Sequence, residues 1–265
     1  MGYVFDFKDA LAYDSWCRKQ CNTYTFQREI ELLMEQMNPL RGNSLIDIGC
    51  GTGKNFKPLL DFGLNVTGID PSPYMLDIAK KTIGNKVDIK RGYAEELPFE
   101  DNEFNHACLI TTLEYTENHT LAIEEACRVA KDNLFIGVLN KYAIKGIKRK
   151  IEGKLTSTIY SKARFFSIWE IKKTIHKLVG DVPISWKTVN IYPGKSGKLI
   201  SSIENIDLVK KIPFGTYAGI VVTLNPKFRT RPLPLKKENG FKANSKRREG
   251  FAGFNEKQID KISKK

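Results

Sequence analysis

A glycine-rich turn between a strand pattern and a helix pattern constrains the fold of this chain more than any other feature. The short apolar run Ser44 to Ile48 leads directly into Gly49-Cys50-Gly51-Thr52-Gly53, and a helix is predicted from about Lys54 to Phe62. Glycines in this position let a ligand approach the backbone at the beginning of a helix. The turn therefore predicts a strand, loop and helix unit that binds a nucleotide-like molecule.

Strand and helix patterns alternate along the chain after this unit. Further strands are predicted at Asn65 to Ile69, about Val87 to Lys90, Phe104 to Thr111 and Leu134 to Leu139, and further helices at Ser72 to about Ile83 and about Asn118 to Ala130. Right-handed crossovers between such strands give an α/β fold in which helices cover both faces of a mostly parallel sheet. Two later extended runs, about Ile184 to Ile191 and Tyr217 to Leu224, could complete the sheet.

Three parts of the chain are expected from these patterns. Residues 1–43 form a helical N-terminal cap, in which Phe26, Ile30, Leu33 and Met37 share one helix face. Residues 44–225 form the core, with a mainly helical, lid-like insert at about 141–181 after the fifth strand. Residues 226–265 form a basic tail that is expected to be flexible.

Composition excludes several classes of protein. No apolar run approaches the roughly 20 residues needed to cross a membrane, and the N-terminus lacks a secretion signal, so a cytoplasmic protein is expected. The five cysteines are scattered and the three histidines form no zinc-binding spacing. Reduced thiols and no metal are therefore expected.

Positive charge is concentrated near the end of the sequence. The net charge is +13, and residues 226–265 contain 13 basic and 4 acidic side chains. Nucleic acid or an anionic surface could attract this tail. The alternative interpretation is a solvated tail without a partner.

The spacing within the glycine-rich loop distinguishes between ligands. Lys54 stands where a dinucleotide fingerprint requires glycine, and the loop lacks the Gly-Lys-Ser/Thr of a phosphate-binding loop. Asp47 brings a negative charge close to the loop, where a pyrophosphate would be disfavoured and a cation would be favoured. Asp70 ends the second strand, where an acidic side chain binds ribose hydroxyls. A ribose joined to a cation describes S-adenosylmethionine.

Four ordered stretches resemble the class I S-adenosylmethionine-dependent methyltransferases, and among them the enzymes of ubiquinone and menaquinone biosynthesis. The stretches are Leu-Ile-Asp-Ile-Gly-Cys-Gly-Thr-Gly at 45–53, Gly-Ile-Asp-Pro-Ser-Pro-Tyr-Met-Leu at 68–76, Ala-Glu-Glu-Leu-Pro-Phe at 94–99 and Glu-Ala-Cys-Arg-Val-Ala at 125–130. The resemblance implies a Rossmann-like, seven-stranded, mostly parallel sheet whose sixth and seventh strands form an antiparallel edge pair. It also implies methyl transfer that converts S-adenosylmethionine into S-adenosylhomocysteine.

The resemblance also assigns the donor-binding residues. They are Asp47, Gly49, Gly51 and Gly53 around the methionine portion, Asp70 at the ribose, Pro71 and Met75 near the adenine, and Ala94 and Glu95 at the adenine edge. Tyr93 stands where the family often has an acidic residue, so Glu95 or a backbone group is expected to bind the adenine amino group instead.

Two residues are candidates for catalysis. Methyl transfer is an in-line displacement that depends mainly on positioning, and a general base is needed only for a protonated oxygen or nitrogen acceptor. Glu114 follows the fourth strand and is a candidate base or orienting group, or else a solvated or helix-capping carboxylate. Tyr13 belongs to a predicted aromatic lid, for which ordinary core packing is the alternative. The other lid candidates are Trp16, Tyr24, Phe165, Phe166 and Trp169.

Three functions are compatible with these features. The favoured one is a methyltransferase that acts on a small-molecule acceptor. A methyltransferase acting on RNA or another macromolecule docked by the basic tail is the first alternative. The second is a non-catalytic module that binds S-adenosylmethionine.

Overall fold

A computed structural model describes residues 2–143, 162–190 and 207–224 of the chain. These residues form a seven-stranded sheet in the order β3-β2-β1-β4-β5-β7-β6. The strands are β1 Ser44–Ile48, β2 Asn65–Asp70, β3 Asp88–Arg91, β4 Phe104–Ile110, β5 Ala130–Leu139, β6 Ile184–Val189 and β7 Tyr217–Thr223. The helices are α1 Phe7–Cys17, α2 Gln20–Met37, α3 Phe56–Phe62, α4 Pro73–Ile83, α5 His119–Val129, α6 Ile168–Val179 and α7 Asp207–Lys210, with a short 3-10 turn at Gly84–Lys86.

The sheet is parallel except at one edge. Strands β3, β2, β1, β4 and β5 run parallel to one another, whereas β7 pairs antiparallel with both β5 and β6. The expected Rossmann-like sheet with an antiparallel edge pair is therefore confirmed. Because β1 and β4 are adjacent but separated in sequence by β2 and β3, the strand order reverses beside β1, which is where open α/β sheets bind ligands.

Helices cover both faces of the sheet, because successive side chains of each strand point to opposite faces and apolar side chains lie on both. In β1, Leu45 packs into the core beneath α2, α3 and α4, while Ile46 and Ile48 pack into the core beneath α5 and α6. Asp47 shares the face of Leu45 because successive side chains point to opposite faces. A carboxylate is thus placed in an otherwise apolar layer, directly behind the glycine-rich loop.

The predicted elements agree with the structure except at some ends. Strand β5 begins at Ala130, four residues before the predicted Leu134, and a register shift in its pairing with β4 accompanies this extension. Helix α3 begins at Phe56 because Gly51 to Asn55 form turns. These differences lengthen one strand and shorten one helix without changing the topology.

The second half of the predicted insert contributes to the core. Ser167 and Glu170 form the expected capping box, in which the Ser167 hydroxyl accepts the Glu170 N–H at 3.1 Å and the Glu170 carboxylate accepts the Ser167 N–H at 2.7 Å. Three isoleucines of α6 are buried with the sheet, namely Ile168, Ile171 and Ile175. Residues 144–161 of the insert and the basic tail at 226–265 lie outside the described residues, so the division into cap, core, lid and tail stays a prediction.

No helix in the described ranges is long and apolar enough to span a membrane.

Candidate functional site

The glycine-rich loop is fixed onto the ends of β1, β2 and β4. The backbone N–H groups of Gly49 and Cys50 both donate to the Ile69 carbonyl, at 2.7 and 3.0 Å. Gly49 has a φ of 75°, and a methyl group on its Cα would overlap the side chain of Thr112. The Thr112 hydroxyl in turn donates to the Ile48 carbonyl at 2.8 Å. The loop backbone is therefore held close to two neighbouring strand ends in a conformation that requires glycine.

Asp70 joins this loop to the end of β2. One oxygen of its carboxylate accepts the Gly51 N–H and the other accepts the Ser72 N–H, both at 2.9 Å. Burial raises the pKa of Asp70 to about 6, although both N–H groups act to lower it. Each oxygen retains a second lone pair, and the side chain lines a cavity, so the carboxylate can also accept hydrogen bonds from a ligand.

Asp47 lies behind the loop rather than at the surface of the cavity. Its side chain is fully buried, and its carboxylate accepts hydrogen bonds from the Asn55 amide at 3.3 Å and the Cys108 thiol at 3.5 Å. Burial raises the pKa of Asp47 to about 6, and the nearby Lys54 ammonium acts to lower it. Asn55 lines the cavity and Asp47 does not, so the negative charge acts on a ligand through Asn55 and at short range through the loop.

A cavity of about 560 Å³ lies at the carboxyl ends of the parallel strands. Eight of the residues predicted from the sequence line it, namely Tyr13, Gly49, Gly51, Asp70, Pro71, Met75, Ala94 and Glu95. Three predicted residues do not line it, namely Asp47, Gly53 and Glu114. The structure thus brings most of the predicted donor-binding residues to one cavity, and their contacts with a donor stay a prediction.

Glu114 faces the backbone of β5. One oxygen of its buried carboxyl group accepts the Leu139 N–H at 2.6 Å, and the other has no hydrogen-bond partner in the part of the chain that the structure describes. Burial raises the pKa of Glu114 to about 8. Since Leu139 lines the cavity, this arrangement favours the orienting role of Glu114 over direct contact with an acceptor. A catalytic role for Glu114 stays a prediction.

At the end of the cavity where the adenine is predicted to bind, the Glu95 carboxylate already accepts hydrogen bonds from the protein backbone. One oxygen of Glu95 accepts the backbone N–H groups of Glu117 at 2.9 Å and Asn118 at 3.3 Å, at the beginning of α5. Tyr93, which departs from the family pattern, lines the same end with its side chain 44% exposed. The second oxygen of Glu95 is not used in these bonds, and contact of Glu95 or of a backbone group with an adenine amino group stays a prediction.

Residues 2–5, here called the N-terminal strap, lie outside helices and strands although the sequence predicts a helical segment there, and they also line the cavity. The Tyr3 N–H donates to the Tyr115 carbonyl at 2.8 Å, and the Ser72 hydroxyl donates to the Phe5 carbonyl at 2.6 Å. These bonds attach the strap to the segments after β4 and β2. A four-residue segment outside helices and strands is too short to show a periodic pattern, so this role could not be predicted from the sequence.

The predicted aromatic lid is only partly present. Tyr13 and Trp16 of α1 line the cavity with their ring centroids 6.0 Å apart. Phe166 is instead buried in the core beside the His119 ring, which agrees with the alternative of ordinary core packing. Trp169 is 55% exposed and contacts Tyr142 away from the cavity.

Three further lining residues carry polar groups that the sequence analysis did not select. The Lys54 ammonium lies 3.3 Å from the centroid of the Phe26 ring, and burial lowers the pKa of Lys54 while the Glu29 carboxylate raises it. Glu29 of α2 and Tyr217 of β7 are both buried and line the same cavity. Lys54, Glu29 and Tyr217 come from elements that are far apart in sequence. Of the three, only Lys54 could have been selected from the sequence, because it directly follows the glycine-rich loop.

No group of three or more Cys, His, Asp or Glu side chains within residues 2–143, 162–190 and 207–224 is arranged to hold a metal ion.

Comparison with known proteins places this arrangement among methyltransferases. Residues 46–136 match the family model of a methyltransferase domain. An uncharacterized protein of Methanocaldococcus jannaschii is 38% identical over 177 residues, which cover 66% of this chain and 80% of that protein. A ubiquinone biosynthesis O-methyltransferase of Azorhizobium caulinodans is 29% identical over 110 residues, 40% of this chain and 44% of that enzyme. The match to the quinone enzyme thus spans less than half of its length.

A solved structure shares the fold over most of both chains. It is an S-adenosylmethionine-dependent methyltransferase of Thermotoga maritima, described as a possible histamine N-methyltransferase, with a TM-score of 0.67 and 24% identity. The similarity covers 82% of this chain and 96% of that one.

Proposed function

Because this chain belongs to the class I S-adenosylmethionine-dependent methyltransferases, we propose that it transfers the methyl group of S-adenosylmethionine to a small-molecule acceptor inside the cavity. Membership of this family shows that the chain is a methyltransferase. What we propose in addition is that its acceptor is a small molecule. The observation that carries the proposal is the shape of the cavity, which the strand ends, α1, α2 and the N-terminal strap line together. Its volume of about 560 Å³ is typical of small-molecule pockets.

The chemistry of the cavity fits the donor. When bound, the donor supplies a methyl group on a positively charged sulfur, which makes that carbon electrophilic. Asp47 and Asp70 are buried carboxylates whose ionised forms need compensating positive charge, and the only described hydrogen bonds to Asp47 come from an amide and a thiol. The open backbone at Gly51 leaves room beside Asp70. A cationic ligand that also carries hydroxyl groups is therefore complementary to this end of the cavity.

The chain's own residues would hold the donor along the strand ends. Asp70 is proposed to accept the ribose hydroxyls, and the loop at Gly49 and Gly51 to border the methionine portion, with Asp47 acting through Asn55. Pro71, Met75 and Ala94 are proposed to contact the adenine. The main catalytic contribution of this arrangement is positioning, because it holds the donor in one orientation against the acceptor and excludes water.

The first experiment measures donor binding in the full-length protein by titration calorimetry. Wild-type protein is expected to bind S-adenosylmethionine and S-adenosylhomocysteine. Asp70→Ala is expected to weaken binding by roughly 10- to 100-fold, since hydrogen bonds to a charged group contribute about 1.5–3 kcal/mol. The matched control is Asp88→Ala on the exposed edge strand β3, which should bind like the wild type.

The second experiment identifies the class of acceptor. Protein and methyl-labelled donor are incubated with an extract of the cells that make the protein, which is then separated by size. Label in the small-molecule fraction, lost with Asp70→Ala, supports the proposal. Label confined to RNA or protein contradicts the small-molecule acceptor, and donor binding without transfer in any fraction contradicts catalysis.

A further inference from the structure

The cavity has a second half that the donor assignment leaves unused. Here it is called the acceptor half and is defined by Tyr13, Trp16, Phe26, Glu29, Lys54 and Tyr217, all of which line the cavity. Its walls come from α1, α2, the residue after the glycine-rich loop, and the beginning of β7. Aromatic rings enclose it, and the polar groups among these rings define what it can bind.

Lys54 places a cation inside these aromatic walls. Its ammonium group lies 3.3 Å from the centroid of the Phe26 ring and 5.6 Å from that of Tyr13. A cation over the face of a ring is attracted by the negative charge of that face, and this attraction is stronger when water is excluded. The ammonium group is therefore held in the cavity wall instead of extending into solvent.

Glu29 places a carboxylate on the same side. It follows Phe26 by three residues on α2, so both side chains project from one helix face. Glu29 is 7% exposed and lines the cavity. Its negative charge contributes, after burial as the main cause, to the raised pKa values of Tyr13 and Tyr217, and it opposes the effect of burial on Lys54. The carboxylate thus lies close enough to act electrostatically on Tyr13 of α1, Tyr217 of β7 and Lys54 after the glycine-rich loop.

Tyr217 supplies a buried hydroxyl group that lacks a partner. Its side chain is 1% exposed, and its hydroxyl has no hydrogen-bond partner among the residues that the structure describes. The ring lies against Gly137 of β5, where any larger side chain would overlap the phenol oxygen. A buried hydroxyl without a partner is unfavourable by about 1–3 kcal/mol, and an adjustment of the cavity wall that brings a ligand oxygen to this hydroxyl removes the penalty.

We propose that Lys54, Glu29 and Tyr217 form the site for the reacting oxygen of a hydroxyl acceptor. The inference rests on the proposed function, since it assigns the acceptor side of the same reaction. Lys54 and Tyr217 bind the oxygen as it becomes negatively charged, and Glu29 accepts its proton. The acceptor oxygen forms a bond to the methyl carbon, the bond from that carbon to sulfur breaks, and its electron pair stays on sulfur.

The charges in the acceptor half favour a hydroxyl over a protonated amine. A protonated amine would bring a second cation next to the Lys54 ammonium and near the positive sulfur of the donor, and like charges at such distances repel. It also lacks the free electron pair that attack requires. A hydroxyl that reacts as its oxyanion instead meets one ammonium group and one hydrogen-bond donor.

The test uses 4-nitrophenol, whose ionised form is coloured, with full-length protein saturated with S-adenosylhomocysteine. This product occupies the donor site without the sulfonium charge. Absorbance is recorded as a function of pH, with free 4-nitrophenol as the reference. An opposite charge within about 4–6 Å lowers the pKa of an acidic group by about one to three units, so the pKa of the bound phenol should fall by at least about one unit, a tenfold shift in its ionisation.

Four variants assign this shift to the proposed residues. Lys54→Met should abolish most of it, and Lys54→Arg should restore it because the charge returns. Tyr217→Phe should reduce it. Glu29→Gln should lower the pKa of the bound phenol further, because a negative charge that opposes ionisation has been removed. The matched controls are Lys57→Met, Glu31→Gln and Tyr74→Phe, which change exposed residues of α3, α2 and α4 and should match the wild type.

Several results would overturn this inference without touching the proposed function. One is wild-type protein that binds S-adenosylhomocysteine but does not shift the phenol. Another is an unchanged phenol shift in folded Lys54→Met together with a tenfold loss of donor affinity, which would assign Lys54 to the donor carboxylate. If the pKa of the bound phenol is the same in Glu29→Gln as in the wild type, Glu29 is not part of the site. Failure to bind the donor at all would instead contradict the proposed function.

Discussion

Two carboxylates at neighbouring positions of the site differ in what they can touch. Asp70 lines the cavity and accepts hydrogen bonds from two backbone N–H groups. Asp47 is buried away from the cavity and accepts hydrogen bonds from Asn55 and Cys108. A ligand can therefore replace water at Asp70, but it can reach Asp47 only through its electric field. Both carboxylates are most compatible with the fold when a positive charge is nearby, which couples their ionisation to donor binding.

Donor affinity is expected to depend on pH through these groups. Burial raises the pKa values of Asp47 and Asp70 from an ordinary 3.8 to about 6, so both are largely protonated below that pH. The donor has a net positive charge and prefers the ionised forms. Affinity should fall by roughly tenfold for each group that becomes protonated, between about pH 7 and about pH 5.

Calorimetry across this range checks the prediction. Asp70→Asn should flatten the dependence, and proton release on binding should be largest near the shifted pKa values. The stability of the donor-free protein should change in the opposite direction, falling as pH rises from about 3.8 to about 6, because a raised pKa in the folded state means that ionisation disfavours folding. Equal donor affinity at both ends of the range would contradict the coupling.

Gly49 is expected to be irreplaceable for two reasons. Its φ of 75° disfavours other residues, and a methyl group would overlap Thr112. Gly49→Ala should reduce the free energy of unfolding by about 2 kcal/mol or more and weaken donor binding. The control is Gly63→Ala, whose φ of 101° and ψ of 27° are left-handed helical and whose added methyl group would make only ordinary contact with Arg41, so it should reduce stability by only about 1 kcal/mol with normal donor binding. Chemical denaturation of both variants measures the difference, and equal losses would show that contact with Thr112 has no effect.

Some residues of the site are predictable from the sequence and others are not, for a physical reason. Asp70 and Gly49 sit in one local motif, whose spacing alone specifies a strand end and a tight turn. Glu29 and Tyr217 are 188 residues apart and meet only after α2 packs over β5 and β7. Local patterns specify the donor half, whereas the acceptor half is specified by tertiary packing.

At the scale of elements, Arg128 joins the stretches 94–99 and 125–130, which are two of the four that resemble the methyltransferases. Its guanidinium group donates to the Leu97 and Phe99 carbonyls at 3.0 and 2.7 Å, and it pairs with Glu125 and Asp101. Glu125 also accepts the Leu97 N–H at 3.0 Å. Helix α5 thereby holds the loop that carries Ala94, so the two stretches form one structural unit.

Two serine caps allow the N-terminal strap to be tested separately from helix stability. Ser72 caps α4 and also donates to the Phe5 carbonyl, whereas Ser167 caps α6 in the core. Ser72→Ala and Ser167→Ala should each lower the free energy of unfolding by about 1 kcal/mol. Only Ser72→Ala should also weaken donor binding, by roughly fivefold, because it releases the strap from the cavity. Equal donor affinity in both variants would contradict a role for the strap.

The boundaries of elements were predicted less well than their identities. Strand β5 extends back to Ala130 because Phe104 of β4 pairs with it there, and such pairing is not encoded in the strand's own sequence. The early turns that delay α3 to Phe56 follow from the loop geometry at Gly53, where the Phe56 N–H donates to the Gly53 carbonyl. In both cases a neighbouring segment, not local propensity, sets the end.

At the scale of the whole molecule, the described residues that line the cavity fall between residues 2 and 217. A chain that ends before the basic residues 226–265 should therefore keep its donor affinity and its transfer to small molecules. The same shortened chain should lose any salt-sensitive affinity for RNA, since phosphate contacts made by lysine and arginine weaken steeply with salt. Calorimetry and RNA-binding titrations at two salt concentrations measure both. Loss of small-molecule methylation on shortening would favour the macromolecular alternative.

Helices α1 and α2 supply most of the acceptor half, yet they precede residue 46, where the match to the methyltransferase domain begins. On the assignment proposed above, the shared segment contains the glycine-rich loop and Lys54, whereas Glu29 and most of the aromatic walls of the acceptor half lie in a separate stretch of about forty residues. Exchanging that stretch between relatives should transplant substrate preference while leaving donor handling intact.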